Sequence, residues 1–184
     1  MPLFRTGGLV AKGDVDQRIA DATLELLRTR GPRGVTVEAV TARSGVAKTT
    51  IYRRYRDRRE MLSAALGRLT PTAPPGADAD PRERLRWVIE HAVEAVEGGI
   101  GFGGFAALLT DEDPEFTDVF RRLLAGQRAA LETVIEDSWA GVDAATLIDA
   151  LVGAYTAERA RTGTVAEGWQ TRLFDLFWPV VGSA

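Results

Sequence analysis

Residues 36–69 read TVEAVTARSGVAKTTIYRRYRDRREMLSAALGRL and predict a short helix, a tight turn, a second short helix and the start of a third. Thr36 is a suitable N-cap before Val37, because its hydroxyl can accept a hydrogen bond from a backbone N–H of the first turn. Gly45 can end this helix, because glycine adopts the left-handed conformation of a C-terminal stop without steric cost. The stretch therefore predicts a helix from Val37 to Ser44 followed by a sharp turn.

The segment from Lys48 to Tyr55 predicts a second helix whose clearly buried aliphatic residue is Ile51. Its remaining surface offers hydroxyls, phenols and guanidinium groups, which suit the phosphates along a DNA major groove and the base edges on its floor. Two helices joined by a tight glycine turn, the second basic and polar, form a helix-turn-helix. A basic amphipathic helix with merely solvated charges is the alternative, and the basic cluster alone does not decide between them.

The order of residues favours the first interpretation. Residues 45–62 read GVAKTTIYRRYRDRREML, and residues 31–36, upstream, read GPRGVT. This order resembles the DNA-binding signature of the TetR family of bacterial repressors. The resemblance is specific over residues 17–66 and extends beyond them only as an all-helical layout. It implies a dimeric transcriptional regulator, most often a repressor, that binds a near-palindromic operator in double-stranded DNA and is released by a small-molecule effector.

In this interpretation the predicted DNA contacts fall into two groups. Phosphate contacts are assigned to Thr36, Lys48, Arg54, Tyr55 and Arg58, and groove contacts to Thr49, Thr50, Tyr52 and Arg53. Thr36 would act through its hydroxyl and the backbone amides at a helix N-terminus. Arg58 lies where the resembled family often contacts phosphate, and a merely solvated arginine is the alternative.

The distribution of charge agrees with a DNA-binding N-terminal part. The chain has 184 residues and a net charge of −3. Residues 1–60 carry 13 Lys and Arg against 7 Asp and Glu, a net of +6, whereas residues 61–184 carry 10 against 19, a net of −9. Such asymmetry is expected when only one part of a protein meets phosphate.

The chain order predicts an all-α protein of about nine helices. The predicted divisions are a flexible arm over 1–13, a helix-turn-helix domain over 14–56, and a helical ligand-binding and dimerisation domain over 57–184, which includes a connecting helix (57–69) and a linker (70–80). Asp14 or Asp16 is expected to cap the first helix. The arm is either a disordered terminus or a basic segment that reaches phosphate or the minor groove.

Residues 97–105, EGGIGFGGF, satisfy the glycine spacing of a dinucleotide-binding loop. That interpretation is rejected, because the loop requires a preceding strand and a βαβ unit, and the surrounding sequence is helical. We predict instead a glycine-rich break between a helix ending near Glu97 and one running from Phe102 to Thr110. Such a break could let a sensing domain adjust around a ligand.

The C-terminal part contains candidate residues for an effector pocket and for a dimer interface. The pocket candidates are Trp87, His91, Phe102, Phe105, Phe116, Trp139 and Tyr155, and the interface candidates are Leu147, Leu151, Tyr155, Trp169, Leu173, Leu176 and Phe177. Aromatic walls with one or two polar groups suit a planar or amphipathic effector. Ordinary intrachain core is the alternative for each of these residues.

Enzymatic function is not expected. The chain has one histidine and no cysteine, which excludes a multi-histidine metal site, thiolate ligands and disulfides. None of the four serines lies in a nucleophile-elbow context. We expect no cofactor, no metal, no membrane span and a cytoplasmic protein. A helical protein-binding adaptor without specific DNA binding is the alternative function.

Overall fold

The computed structural model describes residues 12–69 and 73–182, and the regular secondary structure in these ranges is helical. Nine α-helices are found there: α1 Lys12–Arg30, α2 Val37–Ser44, α3 Lys48–Arg54, α4 Arg58–Leu66, α5 Pro81–Glu94, α6 Gly101–Leu109, α7 Pro114–Ser138, α8 Ala144–Thr162 and α9 Trp169–Val181. A 3-10 turn, Pro32–Gly34, precedes α2, and a π-helical segment, Ala95–Ile100, joins α5 to α6. The all-α prediction is confirmed.

The helix-turn-helix forms through the predicted start and stop residues. The Thr36 hydroxyl accepts a hydrogen bond from the amide of Ala39 at 3.1 Å, which caps α2. Gly45 has φ 67° and ψ 13°, and its amide donates to the carbonyl of Thr41. A side chain at this φ would be strained, so glycine allows α2 to end sharply and the chain to turn into α3.

Two of the N-terminal helices have bounds that differ from the prediction. α1 begins at Lys12, so Asp14 lies inside its first turn and does not cap it. The predicted arm therefore loses its last two residues to α1, and residues 1–11 lie outside the described ranges. α4, predicted over 57–69, is capped by Asp57 and ends at Leu66, and residues 67–69 continue as a turn. Residues 70–72 of the predicted linker are also outside the described ranges.

The helix-turn-helix packs on α1 and α4 through a fully apolar centre. Val40, Ile51 and Leu62 are each at most 1% exposed, and Leu27 of α1 is completely buried between them and the rest of the core. α1 also contacts the π-helical segment and α6, and α4 contacts α7. These contacts join the N-terminal helices to the C-terminal bundle through one continuous hydrophobic core.

The segment Pro81–Leu109 is the centre of the C-terminal bundle. It is long and apolar enough to cross a membrane by length and composition alone, but half of its most apolar stretch is buried inside the protein. α5 packs against α7, α8 and α9, with Leu85, Val88 and Ile89 at most 1% exposed. Its hydrophobicity is therefore explained by burial among other helices.

The glycine-rich residues form a distorted helical connection rather than a plain break. α5 ends at Glu94, three residues before the predicted end, and π-helical turns continue to Ile100. The chain then changes direction at Gly101, with φ 71° and ψ 168°, a conformation almost confined to glycine. The Arg28 side chain donates hydrogen bonds to the carbonyl oxygens of Gly98 (2.7 Å) and Gly99 (2.6 Å), which supplies partners that the distorted helix lacks.

Candidate nucleic-acid interface and ligand cleft

One face of α3 is available to a partner. Ile51, 1% exposed, anchors the helix in the core, while Thr49, Tyr52 and Arg53 are exposed at the spacing of one helical face. Tyr52 leaves 51% of its surface exposed, which is unusual for a large aromatic residue without a partner. Together with half-buried Thr50, this surface presents hydroxyls, a phenol and a guanidinium group, as predicted for groove contacts.

Lys48, at the start of α3, is exposed and forms an ion pair with Glu38 of α2. Its ammonium group also lies 5.7 Å from the centre of the Tyr52 ring. The hydrogen bond between the two side chains lowers the pKa of Glu38 and raises the pKa of Lys48, so both are charged near neutral pH. Because both groups are fully exposed, a DNA phosphate can replace the carboxylate as the partner of Lys48.

Thr36 occupies the exposed N-terminus of α2. The first backbone N–H groups of a helix lack intrahelical acceptors and carry the positive end of the helix dipole. The Thr36 hydroxyl satisfies the amide of Ala39, which leaves neighbouring first-turn donors on the surface. This geometry is compatible with the predicted phosphate contact.

Arg54 and Tyr55, which were predicted to contact phosphate, are half-buried and have partners inside the protein. Arg54 Nη1 lies 2.5 Å from Asp16 Oδ1 of α1, and the two side chains are 20% and 28% exposed. Tyr55 packs against the hydrophobic core, and burial, followed by the charge of Asp16, raises the pKa of its phenol. Both residues help to hold the C-terminal end of α3 on the rest of the N-terminal domain.

Arg58 also makes extensive contacts inside the protein. Its guanidinium donates hydrogen bonds to the carbonyl oxygens of Pro32 (2.6 Å) and Val35 (2.7 Å). It also pairs with Asp113 Oδ2 at 2.6 Å and Glu115 Oε2 at 2.7 Å. This arginine therefore joins the start of α4, the turn before α2 and the N-terminus of α7. Its acidic partners lie 55 and 57 positions away in sequence, so the local pattern could not indicate them.

The Arg58 network shifts the acid–base properties of its members. Burial lowers the pKa of Arg58, but the hydrogen bonds to Asp113 and Glu115 outweigh it, and the net shift is upward. Burial raises the pKa of Asp113, but the hydrogen bonds from Arg58 and from the amide of Phe116 produce a net lowering. Both charges are therefore retained in the folded protein at neutral pH.

Three arginines that were not predicted from the sequence either lie on the candidate DNA-binding surface or connect the N-terminal helices to the C-terminal bundle. Arg56 follows α3, and its side chain is 89% exposed, so it is a further candidate phosphate contact. Arg28 holds the π-helical segment, as described above, and Arg33 donates to the carbonyl oxygen of Glu112 at 2.9 Å. The high density of basic residues could have indicated Arg56, whereas the partners of Arg28 and Arg33 depend on tertiary structure.

A cleft of about 270 Å³ lies between the α5–α6 connection, α7 and α8. Two of the seven predicted pocket residues, His91 and Phe105, line it; aliphatic side chains provide most of the remaining wall, namely Ala92, Val96, Leu124, Ala125, Leu131, Ile148 and Val152. The His91 ring stacks on Trp87 with 4.3 Å between ring centroids, and its Nδ1–H donates to the Trp87 carbonyl oxygen at 2.8 Å. This hydrogen bond fixes the orientation of the imidazole in the wall.

The other five predicted pocket residues lie outside the lining of this cleft. Phe116 is fully buried and stacks on Phe120, and Trp139 is 5% exposed in the core. Tyr155 packs edge-on against Trp169, and burial, then the charge of Glu97, raises the pKa of its phenol. Trp87 stacks on His91, and Phe102 lies under the guanidinium of Arg159. The aromatic residues are thus largely core, which corrects the predicted aromatic pocket.

Comparison with known proteins identifies the N-terminal helices. Residues 19–65, which include α2 and α3 and most of α1 and α4, match the family described as "Bacterial regulatory proteins, tetR family". The N-terminal helices of this chain therefore carry the helix-turn-helix domain of the TetR family, with α3 as the second helix of that motif.

Curated relatives of this chain include an uncharacterized HTH-type transcriptional regulator of Mycobacterium tuberculosis. The two sequences are 33% identical over an 85-residue alignment that covers 42% of this chain and 36% of the relative. The match thus spans about a third of the relative's length.

Solved structures extend the similarity of fold to almost the whole chain. A TetR transcription regulator from Haloarcula marismortui superposes with a TM-score of 0.66 at 18% identity and covers 93% of this chain and 98% of its own. The regulator FadR from Bacillus subtilis, solved with stearoyl-CoA, gives 0.60 at 16% identity, with 87% and 96% covered. A putative regulator from Saccharomonospora viridis, solved with choline, gives 0.60 at 17%, with 91% and 97% covered.

The faces of α8 and α9 that were predicted to pair with a second copy of the chain are mostly buried within one chain. Leu147, Leu151, Tyr155, Trp169 and Leu173 are all at most 7% exposed, so these five are intrachain core. Leu176, by contrast, is 64% exposed, and Phe177 is half-buried. The prediction selected the larger apolar residues, which the protein uses to hold α8 and α9 on the bundle.

The outward face of α8 carries small residues. Ala150, Gly153, Ala157 and Ala160 are exposed and follow one stripe along the helix. Leu109, at the end of α6, is 65% exposed beside this stripe and lines a shallow apolar groove with it. Small side chains allow a second helix to approach closely, so this face is the better candidate for contact with another chain.

Proposed function

We propose that this transcriptional regulator is a repressor that binds a near-palindromic operator as a homodimer and leaves it when a small molecule binds the C-terminal cleft. The proposal of DNA binding rests on the exposed face of α3. This helix is anchored in the core by buried Ile51. Thr49, Thr50, Tyr52 and Arg53 would contact base edges in the major groove. Thr36, Lys48 and Arg56 would contact phosphates at its edges.

A homodimer follows from the geometry that a palindromic site requires. Two recognition helices related by a two-fold axis can enter successive major grooves when they are about 34–36 Å apart. The exposed stripe of α8 with Leu176 of α9 offers an apolar surface for such pairing. We propose that these outward faces form the interface, and that the buried faces of the same two helices do not.

The proposed release by an effector requires contacts between the cleft and the DNA-binding helices. Arg28 of α1 holds the carbonyl oxygens of Gly98 and Gly99 in the π-helical segment, and Val96 of that segment lines the cleft. Gln127, also in the cleft wall, donates to the carbonyl oxygen of Leu69 at 3.2 Å, just beyond α4. A ligand that moves either wall therefore acts directly on α1 or on the end of α4.

Two further inferences are supported by the comparisons. Stearoyl-CoA in the B. subtilis neighbour and choline in the S. viridis neighbour make a small-molecule effector reasonable for this chain too. A DNA-binding regulator of this family acts where the chromosome is, so we propose a cytoplasmic location. The buried Pro81–Leu109 segment is consistent with that location.

Fluorescence anisotropy with DNA from upstream of the protein's own gene, against a scrambled duplex at two salt concentrations, tests the DNA-binding proposal. Arg53→Ala should weaken binding by ~1–3 kcal/mol and relax specificity at one base pair, whereas Lys48→Ala should flatten the salt dependence by about one unit. Arg122→Ala, an exposed position on α7, is the control for lost positive charge. Operator affinity and salt dependence that stay unchanged in both Lys48→Ala and Arg53→Ala would disprove the interface.

If the upstream DNA is not bound, selection from a random-sequence duplex library should still return a palindromic site. Failure of that selection would favour the protein-binding adaptor over the repressor.

A further inference from the structure

The cleft between the α5–α6 connection, α7 and α8 combines aliphatic walls with an uneven distribution of charge. Its floor includes Val96, Leu131 and Ile148, and Phe105 contributes an aromatic side. The volume of about 270 Å³ corresponds to roughly ten non-hydrogen atoms if each takes the ~30 Å³ that a water molecule occupies in the liquid. The site is therefore suited to a small, largely apolar molecule.

Three charged side chains lie in the cleft lining, and two of them, Arg128 and Asp149, form an ion pair. Arg128 Nη1 lies 2.7 Å from Asp149 Oδ1, and Arg128 Nε lies 2.9 Å from Glu132 Oε1. The hydrogen bond to Asp149 is the main reason that the pKa of Arg128 is raised. Asp149 is the single carboxylate among the lining residues, and it is already paired with the guanidinium of Arg128.

Arg121 is the third charged residue, and its charge is not compensated. It lies on the cleft face of α7, three and four residues before Leu124 and Ala125, and it is exposed. In the described part of the chain, its guanidinium has no hydrogen-bond or ion-pair partner. The cleft therefore presents an apolar interior with one available cation at its edge.

We infer that this cleft binds an amphipathic monoanion, with a carboxylate or a similar acidic group on Arg121 and an apolar body of about ten non-hydrogen atoms against the aliphatic walls. A guanidinium can hold a carboxylate through two parallel hydrogen bonds, which adds geometric selection to charge. A cationic ligand is disfavoured, because it would meet Arg121 without an available carboxylate in the lining. This inference rests on the proposed repressor function and names the chemical class of its effector.

Isothermal titration calorimetry of the full chain without DNA tests the charge preference directly. Octanoate, 1-octanol and octylammonium share an eight-carbon chain and differ in the charge of the head group. We expect octanoate to bind at least about tenfold more tightly than octanol, and octylammonium to bind most weakly. Equal binding of octanoate and octanol, or a preference for octylammonium, would overturn the inference.

Variants locate the binding site. Arg121→Gln should remove the preference for octanoate over octanol, Arg121→Lys should keep part of it, and Arg122→Gln, outside the cleft lining, should leave it intact. Ala125→Trp, at an exposed wall position where a larger side chain does not disturb the core, should block all three compounds. A preference that survives Arg121→Gln would overturn the assignment of the carboxylate to this arginine.

The same compounds, added to the operator complex in the anisotropy assay, separate this inference from the proposed function. Octanoate binding with release of the operator supports both. Octanoate binding to the free protein without any change in operator affinity supports the cleft chemistry and overturns release by this ligand class. Operator binding that no octyl compound affects, combined with no calorimetric binding of octanoate, overturns the inference and leaves DNA recognition standing.

Discussion

Replacing Arg58 by methionine tests whether this arginine braces the fold or contacts DNA phosphate. Methionine retains much of the aliphatic stem but removes the guanidinium. In the native protein that group binds the carbonyl oxygens of Pro32 and Val35 and the carboxylates of Asp113 and Glu115. The substitution therefore leaves two carbonyl oxygens and a largely buried carboxylate without their partner.

The expected loss of stability follows from the burial of this network. Arg58 and Asp113 are 22% and 11% exposed, whereas Glu115 is 37% exposed and partly screened by water. Removing one partner of a buried ion pair costs ~3–5 kcal/mol, and a hydrogen bond to a charged group contributes ~1.5–3 kcal/mol. Because some solvent reaches the pair, we expect the free energy of unfolding to fall by ~2–4 kcal/mol.

Urea denaturation followed by circular dichroism measures this change. Arg59→Met is the matched control, since Arg59 is the next residue of α4 and pairs with Asp118 at 3.2 Å with both side chains over 40% exposed. Such an exposed pair contributes only ~0–1 kcal/mol. A double-mutant cycle with Asp113→Asn isolates the pair, because asparagine can still cap α7 through the Phe116 amide. We expect a coupling energy above ~1 kcal/mol.

A phosphate contact at Arg58 would give a different pattern of stability and DNA binding. If Arg58 contacts phosphate, Arg58→Met should change stability by less than ~0.5 kcal/mol and flatten the salt dependence of operator binding by about one unit. That combination would refute the brace. The brace predicts the reverse: lower stability, with an unchanged salt dependence for the protein that remains folded.

The pH dependence of stability in acid also reports on the pair of Arg58 and Asp113. The pKa of Asp113 is lower in the folded protein than its ordinary value, so its contribution is fully present above the pKa of the unfolded chain, about 4. This contribution is lost as the pH falls through the lowered folded-state pKa. Arg58→Met should therefore make the acid limb of stability against pH less steep, as measured by thermal unfolding between pH 7 and 3.

Three further predictions concern other parts of the molecule. If the proposed homodimer forms through α8, Gly153→Arg should give a monomer in sedimentation equilibrium, because the new side chain has open space within one chain but would obstruct a second α8; Gly126→Arg on α7, also in open space, should not change the oligomeric state. Arg28→Met should leave operator affinity within about threefold but reduce the effect of octanoate on it, since the hydrogen bonds to the π-helical segment are lost; an undiminished effect would rule out that connection. Glu158→Gln, which weakens the contacts of a buried carboxylate to the exposed Arg161 and Arg172, should lower the unfolding free energy by ~0.5–1.5 kcal/mol; an unchanged urea midpoint would contradict this.

The local sequence determined the helix-turn-helix. A capping threonine, an i, i+3, i+4 apolar pattern and a glycine stop all act within a few residues, so they predicted the bounds of α2 as they are found. The α5, α7 and α8 starts at Asp80, Asp113 and Asp143 follow the same short-range rules. The exposed face of α3 was predictable too, because its single aliphatic residue fixes which side turns inward.

The roles of the individual arginines were decided only by tertiary structure. Arg53, Arg54 and Arg58 have the same chemistry and lie within six residues, yet one is exposed, one binds α1 and one binds α7. Their acidic partners are far away in sequence, and a charge pattern contains no information about which distant carboxylate will lie within reach.

The same limit applies to the C-terminal helices. α8 is apolar or small on two sides, so periodicity could not separate the face that packs on the bundle from the face with Gly153 and Ala157. Most of the aromatic residues predicted for a pocket became core because the inner faces of α5, α7 and α8 needed large side chains to fill the space between them. Local hydrogen bonding and periodicity thus determined which helices form, and packing between distant segments decided which surfaces, clefts and charges remained available for function.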